Sequence, residues 1–449
     1  MDIAIAFIFC FLLLIYSSFK GIFVGYSLTI GLLIFILLAC RKGFKFVDVI
    51  KMAYEGGRKS FIVLEILILI GAVTSSWMSS GTVPAIVFYG MKFLNPNTFI
   101  VSIFLISSVV SFLLGTSFGT VGTVGVAFMV MARGGGVNPS LAAGAIFAGA
   151  YFGDRCSPMS SSANLVANIT ETDLYTNIKN ILKSTIIPFI IAVLIYLAFS
   201  FKFPLNASEN NISSEIIKSF NIDIITLLPA IIILVFCIFK VNVKISIAVS
   251  IIAASIISII IQHSSISDVI RYIIVGYDIK SNILLSSIIK GGGIISMFKS
   301  ALIVFVSSAF TGIFEGTKML QNLEEIIDKS SSKTGNFFTT IIVSIITSAF
   351  GCTQTLAVIL THMLVKKNYE KNNIDKNKLA LDIEDSAIII APLIPWNIAA
   401  LVPLATLNVG TSSILYAFYL YLIPLINILH LKLNGMRRIT LQNQQIHVD

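Results

Sequence analysis

Apolar residues in this chain arrive in long runs, not in the narrow stripes of amphipathic helices or the alternation of half-buried strands. Runs near the roughly 20 residues that cross a bilayer as a helix lie at about 3–19, 22–40, 60–79, 98–114, 119–132, 140–170 and 182–201. Others follow at about 222–239, 243–261, 294–315, 336–350, 354–365, 377–409 and 411–431, some of them halves of a span. Residues 266–290 mix Asp268, Arg271, Asp278 and Lys280 with isoleucines and predict an interfacial helix; the tail after Lys432 is polar. The pattern predicts an all-α polytopic membrane protein.

Two interruptions stand out between Leu113 and Ala167. One is Gly115-Thr116-Ser117-Phe118-Gly119-Thr120, the other Gly153-Asp154-Arg155-Cys156-Ser157-Pro158-Met159-Ser160-Ser161-Ser162. Irregular, hydroxyl-rich backbone at membrane depth is tolerated only where protein or a water-filled cavity surrounds it, and broken helices form the binding sites of many secondary transporters. The second half answers the first at an offset of about 235 residues, the sort of self-similarity that marks an internal repeat. Gly81-Thr82 precedes Gly115-Thr116-Ser117 by 34 residues, and Gly316-Thr317 precedes Gly351-Cys352-Thr353-Gln354 by 35. Leu141-Ala142-Ala143 with Ser157-Pro158-Met159 and Asn164 matches Leu379-Ala380 with Ala391-Pro392-Leu393-Ile394-Pro395-Trp396-Asn397. If 98–132 and 336–365 are re-entrant hairpins, the halves are inverted and the excess of Lys and Arg on the cytoplasmic side is larger than for parallel halves. We therefore expect two inverted structural repeats with re-entrant hairpins and broken transmembrane helices. In this plan 1–449 is a single membrane transport domain: N-terminal helices and a cytoplasmic loop at 1–59, repeat 1 at 60–201, connecting helices at 202–290, repeat 2 at 291–431 and a cytoplasmic tail at 432–449.

Composition excludes the alternatives. Of 449 residues, 56% are apolar and 12% charged, against about 25% charged in soluble domains. The net charge of +9 resides in loops and reads as a topology signal, so no nucleic-acid partner is expected. Five scattered Cys and four dispersed His give neither a disulfide framework nor a zinc motif, and no cofactor is expected. The start, Met1-Asp2-Ile3, lacks the basic region of a cleaved signal peptide. Abundant Ile, Asn and Lys suit an AT-rich bacterial genome and hence a multi-pass protein of the bacterial inner membrane.

The segments GTSFGTVGTVGVAFM, AGAIFAGAYFGDRCSPMSSSANL with Thr172-Asp173-Leu174, GCTQTLA with EDSAIIIAPLIPWN, and SGTVPAIVFYG at 80–90 resemble the NhaC-type sodium/proton antiporter family of the ion-transporter superfamily, from about Phe61 to Leu407. The resemblance implies inverted repeats with hairpins and exchange of sodium, or another monovalent cation, for protons. The family also includes malate–lactate exchangers and suspected amino-acid carriers, so ion-coupled exchange of a small organic acid or amino acid is the competing reading. Where the family pattern continues Leu-Ser-Asp-Thr-Thr-Asn after Ser-Pro, this chain has Met159-Ser160-Ser161-Ser162-Ala163-Asn164, with serine at the acidic position.

Sodium is a hard cation served by hydroxyls, carbonyls and carboxylates. The candidate cation, proton or substrate site therefore comprises Asp154, Ser157, Ser160 and Asn164 in the second break, Thr116, Ser117 and Thr120 at the first tip, Thr353 and Gln354 at the second tip, and Glu384, Asp385 and Asn397 in the later half. Asp154 is the first candidate for a carboxylate that binds a proton or sodium but never both; Asp385 with Glu384 is the second. Against these stand plainer readings: Asp154 paired to Arg155 or capping a helix, Asp382, Glu384 and Asp385 at the membrane interface, and the Ser and Thr residues serving helix packing. Glu65, amid an apolar helix, is either on a proton pathway or a buried neutral acid. Trp396 is expected to form a cavity wall, with a belt aromatic as the alternative. His362 is expected near the surface, and Arg155 offers a partner for an organic carboxylate. Tyr151-Phe152-Gly153-Asp154 only faintly resembles the motif of intramembrane aspartyl proteases, since the first glycine is missing, and no enzyme is expected. Partners are the lipid bilayer, sodium and protons or a small organic substrate; a homodimer is compatible with the sequence.

Overall fold

In hydrocarbon every backbone polar group must be paired internally, and helices do this within one segment. The computed structural model describes residues 2–20, 22–58, 60–93, 95–205, 211–239, 241–278, 290–317, 319, 335–351 and 353–430. These residues are helical throughout, apart from turns and one short antiparallel pairing of Tyr277–Asp278 with Lys290–Gly291. Among the described residues, four helices are long and apolar enough to cross a membrane: Val24–Arg41, Pro96–Leu114, Leu174–Lys202 and Ile294–Thr317. Two bent pairs are as apolar when taken together, each a broken span or a re-entrant loop: Leu64–Ser79 with Thr82–Gly90 at 68° and Lys376–Leu393 with Ile398–Thr406 at 50°. The chain is a polytopic helical membrane protein. Of the predicted features, Lys280, Cys352 and the tail 432–449 fall outside the described residues.

The exterior is apolar and the interior carries the hydroxyls. Leu33, Leu37, Ile186, Leu194 and Ile252 point outward, while Ser107, Ser111, Ser307, Thr340 and Ser344 are buried. With lipid outside as apolar as leucine, helices associate through close packing and interhelical hydrogen bonds. The tightest crossing shows how. Helix Phe99–Leu114 lies on Pro139–Cys156 at Gly149 and Gly153, where an added Cβ would stand 2.5 Å from the Phe104 carbonyl oxygen and 2.1 Å from the Phe112 nitrogen. A second close crossing joins Phe46–Arg58 to Phe298–Thr317, backbone to backbone at Gly56 and Gly312.

Three of the predicted runs are divided. The run 140–170 is two helices, Pro139–Cys156 and Ser161–Thr170, parted at Ser157–Ser160. The run 377–409 becomes Lys376–Glu384, Ala387–Ile390, a tight turn at Ala391–Leu393 and Ile398–Thr406. The run 119–132 begins with the short helix Ser117–Thr120, widens into a π-helical turn at Val121–Gly125 and continues as Val126–Gly134. The two expected hairpins differ. Asn336–Gly351 and Gln354–Lys371 pack arm on arm, with Thr347 Oγ1 2.7 Å from Thr361 Oγ1 and Thr340 Oγ1 3.0 Å from the Tyr369 hydroxyl. The arms around Gly115 instead part: Phe99–Leu114 packs on Pro139–Cys156, whereas Val126–Gly134 packs on Thr82–Phe93.

Candidate ion site

The first tip is built by local backbone chemistry. Gly115 closes helix Phe99–Leu114 at φ +65°, a left-handed conformation that suits glycine. A Cβ there would lie 2.7 Å from the Met159 carbonyl carbon, so this tip touches the break Ser157–Ser160. Thr116 then caps the next helix, its hydroxyl accepting the Gly119 N–H at 3.4 Å. Thr120 donates back to the Thr116 carbonyl at 2.9 Å. Thr116 and Thr120 thus hold the turn, and Ser117 is left to reach across it.

Ser117 reaches Asp154. The carboxylate, 5% exposed near the end of Pro139–Cys156, accepts from Ser117 Oγ at 3.4 Å and Ser160 Oγ at 3.5 Å. The Ser117 backbone and the Gln354 side chain lie close enough to act on it electrostatically. The two hydroxyl contacts are longer than the roughly 2.7–2.8 Å of a strong O–H···O bond. Every one of these neighbours is neutral. Ser160 also caps Ser161–Thr170, accepting from Ser162 N at 3.1 Å and Ala163 N at 3.3 Å. Ser157 Oγ accepts the Met159 N–H at 3.1 Å, and the Asn164 amide ties the Pro158 and Ser160 carbonyls at 3.2 and 2.7 Å. Ser157 and Asn164 therefore shape the break and do not touch the carboxylate through these bonds.

The second tip meets the same place. Thr353 caps Gln354–Lys371, accepting from Leu356 N at 3.2 Å. Gln354 Nε2 donates to the Ile388 carbonyl at 3.0 Å, and the same side chain acts electrostatically on Asp154. Gln354 thereby bridges the first break to the second broken helix. Helix Ser161–Thr170 packs on both Gln354–Lys371 and Lys376–Glu384.

Arg155, next to Asp154, faces the other way. It is wholly buried and forms an ion pair with Asp385. Its guanidinium also donates to Thr185 Oγ1 at 2.7 Å, Ser184 Oγ at 3.1 Å and, more distantly, the Tyr419 hydroxyl at 3.5 Å. Asp385 further accepts from Ser184 Oγ at 3.2 Å and Asn427 Nδ2 at 2.6 Å. This bears on two expectations. Asp154 does not pair with its neighbour arginine, and Asp385, also a candidate for the exchanging carboxylate, already has partners on both oxygens. Glu384 is 1% exposed, and among the described residues neither of its oxygens has a hydrogen-bond partner. Asp382, likewise buried, accepts from the Tyr369 hydroxyl at 2.7 Å and from Lys378 at 2.5 Å. None of the three acids is exposed at an interface.

Four other residues take places that sequence alone did not give. Glu65 is not buried: its side chain is 61% exposed and ion-paired with Lys244 on the outer face. That placement gives no support to a proton pathway through the interior. Trp396 is buried, its indole donating to the Ala349 carbonyl at 2.8 Å and meeting Phe11 edge-on at 5.7 Å between centroids. It is packed among the N-terminal helices, where a cavity wall was expected. Asn397 caps Ile398–Thr406 through Ala399 N at 3.0 Å and donates to the Ser348 carbonyl at 2.8 Å, so its polar atoms are engaged. His362, expected near the surface, is buried. The residues sequence reasoning did not foresee are Ser184, Thr185, Tyr419 and Asn427; they lie in ordinary apolar helices, and only the pairing of Arg155 with Asp385 singles them out.

The model of the Na+/H+ antiporter family matches residues 2–163 and 149–433. A Na(+)/H(+) antiporter NhaC of Alkalihalophilus pseudofirmus is 30% identical over 376 residues, 81% of this chain and 80% of that one. A malate-2H(+)/Na(+)-lactate antiporter of Bacillus subtilis is 27% identical over 91% of this chain and 88% of its own length. An arginine/ornithine antiporter of Halobacterium salinarum is 26% identical over 80% of this chain and 76% of its own length. With matches running nearly end to end, this chain belongs to the Na+/H+ antiporter family.

Proposed function

We propose that this chain is a sodium/proton antiporter in which Asp154 holds, by turns, a proton or a sodium ion. The observation that carries the assignment is the company Asp154 keeps: a buried carboxylate between two broken segments, bonded only to neutral donors, with the adjacent cation Arg155 engaged by Asp385. A buried carboxylate without a cationic partner calls for a proton or an ion from outside. Ser117, Ser160 and Gln354 bring the oxygens that a hard cation prefers. A proton bound from one side leaves as sodium enters from the other, and one site couples both fluxes.

Inverted repeats remain our reading of the architecture, supported by matched breaks in the two halves. In it the tips at Gly115–Thr120 and at Gln354 belong to one central cavity, the whole chain works as one transport domain, and the protein lies in a bacterial inner membrane. Exchange of an organic acid is the weaker reading, although one relative bears that name. A planar carboxylate would need Arg155, whose guanidinium is engaged by Asp385, Thr185 and Ser184. The test is sodium-driven proton movement in proteoliposomes. Asp154→Asn should lower the rate on the order of 100-fold or more while remaining folded and inserted. Wild-type rates in that variant would remove Asp154 from the site.

A further inference from the structure

Four ionisable groups converge from two broken helices, two adjacent pairs in sequence: Asp154 with Arg155, and Glu384 with Asp385. Arg155 and Asp385 neutralise each other in a buried ion pair that Thr185 and Asn427 brace. Asp154 and Glu384 are left over. The two differ in what surrounds them. Asp154 accepts from the Ser117 and Ser160 hydroxyls, so its anion has some support. Glu384 is buried and has no donor on either oxygen, yet it lies within electrostatic reach of both Asp154 and Arg155.

An ionised carboxylate buried with no donor is too costly to persist. Glu384 therefore calls for a proton or a positive ion close by. Resting on the antiport reading above, we propose that Glu384 is the second proton-carrying carboxylate of this site, so that one sodium ion exchanges for two protons. Both protons leave as the ion enters: one O–H bond breaks at Asp154 and one at Glu384, and the sodium ion sits against the two anions. Empty and doubly protonated, the cluster is neutral; loaded with sodium, it carries one negative charge. Each cycle therefore moves one net charge across the membrane and is coupled to its potential.

The experiment is a null-point measurement in proteoliposomes held at zero membrane potential. Against one unit of pH difference, net flux should vanish at a roughly 100-fold sodium gradient for two protons per ion and at roughly 10-fold for one. Wild type should null near the larger value, Glu384→Gln near the smaller, and Glu384→Asp should keep the larger. A wild-type null at the smaller value, or an unchanged null in Glu384→Gln, overturns the proposal. So does loss of transport in both Glu384 variants, which would give the residue a packing role. Should Glu384→Gln transport nothing while Glu384→Asp keeps the wild-type null, the proton step at Glu384 is obligatory and the proposal holds. A wild-type protein with no sodium-dependent proton flux refutes the antiport reading itself, an outcome distinct from sodium/proton exchange at the wrong ratio.

Discussion

Asp154 and Asp385 are both buried aspartates, and their neighbours separate them. Asp385 is bound to Arg155, Asn427 and Ser184 and behaves as fixed structure. Removing one member of a buried pair leaves an unmatched charge and costs roughly 3–5 kcal/mol, whereas an apolar replacement of both is often neutral. Arg155→Met should therefore lower the thermal midpoint of the purified protein sharply, and Arg155→Met with Asp385→Leu should regain most of it. At Asp154 the corresponding change is functional. Ser160→Ala removes a helix cap worth about 1 kcal/mol together with one oxygen beside the carboxylate, so sodium affinity in a binding titration should fall more than stability does. Asp154 was legible in the sequence because an acid inside a helix break is conspicuous. Its separation from Arg155 was not, since the partner, Asp385, comes from a distant helix and no local pattern encodes that choice. Glu65 misled for the same reason: Lys244 answers it from another helix on the outer face.

At the scale of elements, the breaks were readable because their chemistry is local. Gly115 at positive φ, Thr116, Ser160, Thr353 and Asn397 as caps each act within a few residues. Packing between elements was less readable. Gly149 and Gly153 read as part of an apolar run, yet they are where Phe99–Leu114 meets Pro139–Cys156 without room for a side chain. Overpacking of this kind costs roughly 1–3 kcal/mol, so Gly153→Ala should lower stability measurably in detergent and shift Asp154 away from Ser117. The loop after Ser161–Thr170 carries an exposed tie, Glu171 to Lys376 at 2.5 Å, at the start of the second broken helix. The Lys376 ammonium holds the Glu171 carboxyl below its usual range and is itself held above its own. This contribution is present above the ordinary glutamate pKa of about 4.3 and below the ordinary lysine pKa of about 10.4. It is lost as pH falls through the lowered Glu171 value or rises through the raised Lys376 value. As an exposed pair it is weak and screened by salt, so Glu171→Gln should leave neutral-pH stability unchanged at physiological ionic strength.

For the whole molecule, composition alone fixed the class: an apolar exterior, a hydroxyl-bearing interior and bent spans follow from a solvent that cannot hydrogen-bond. The relation between the halves is harder to read, because the segments flanking Gly115 and Gln354 pack differently and the carboxylates do not correspond; Asp154 aligns with Ile388, and Asp385 with Tyr151. The inverted arrangement predicts that the loop at Arg133–Asn138 faces outside and Lys366–Lys378 the cytoplasm. Single-cysteine labelling of intact cells should mark only the first, and labelling of both from one side would exclude it. The central claim, that sodium and protons compete for Asp154, is tested most directly by adding sodium to the purified protein in weak buffer and recording the pH. The wild-type protein should release protons as sodium binds, and Asp154→Asn should release none; undiminished release from Asp154→Asn would contradict the account.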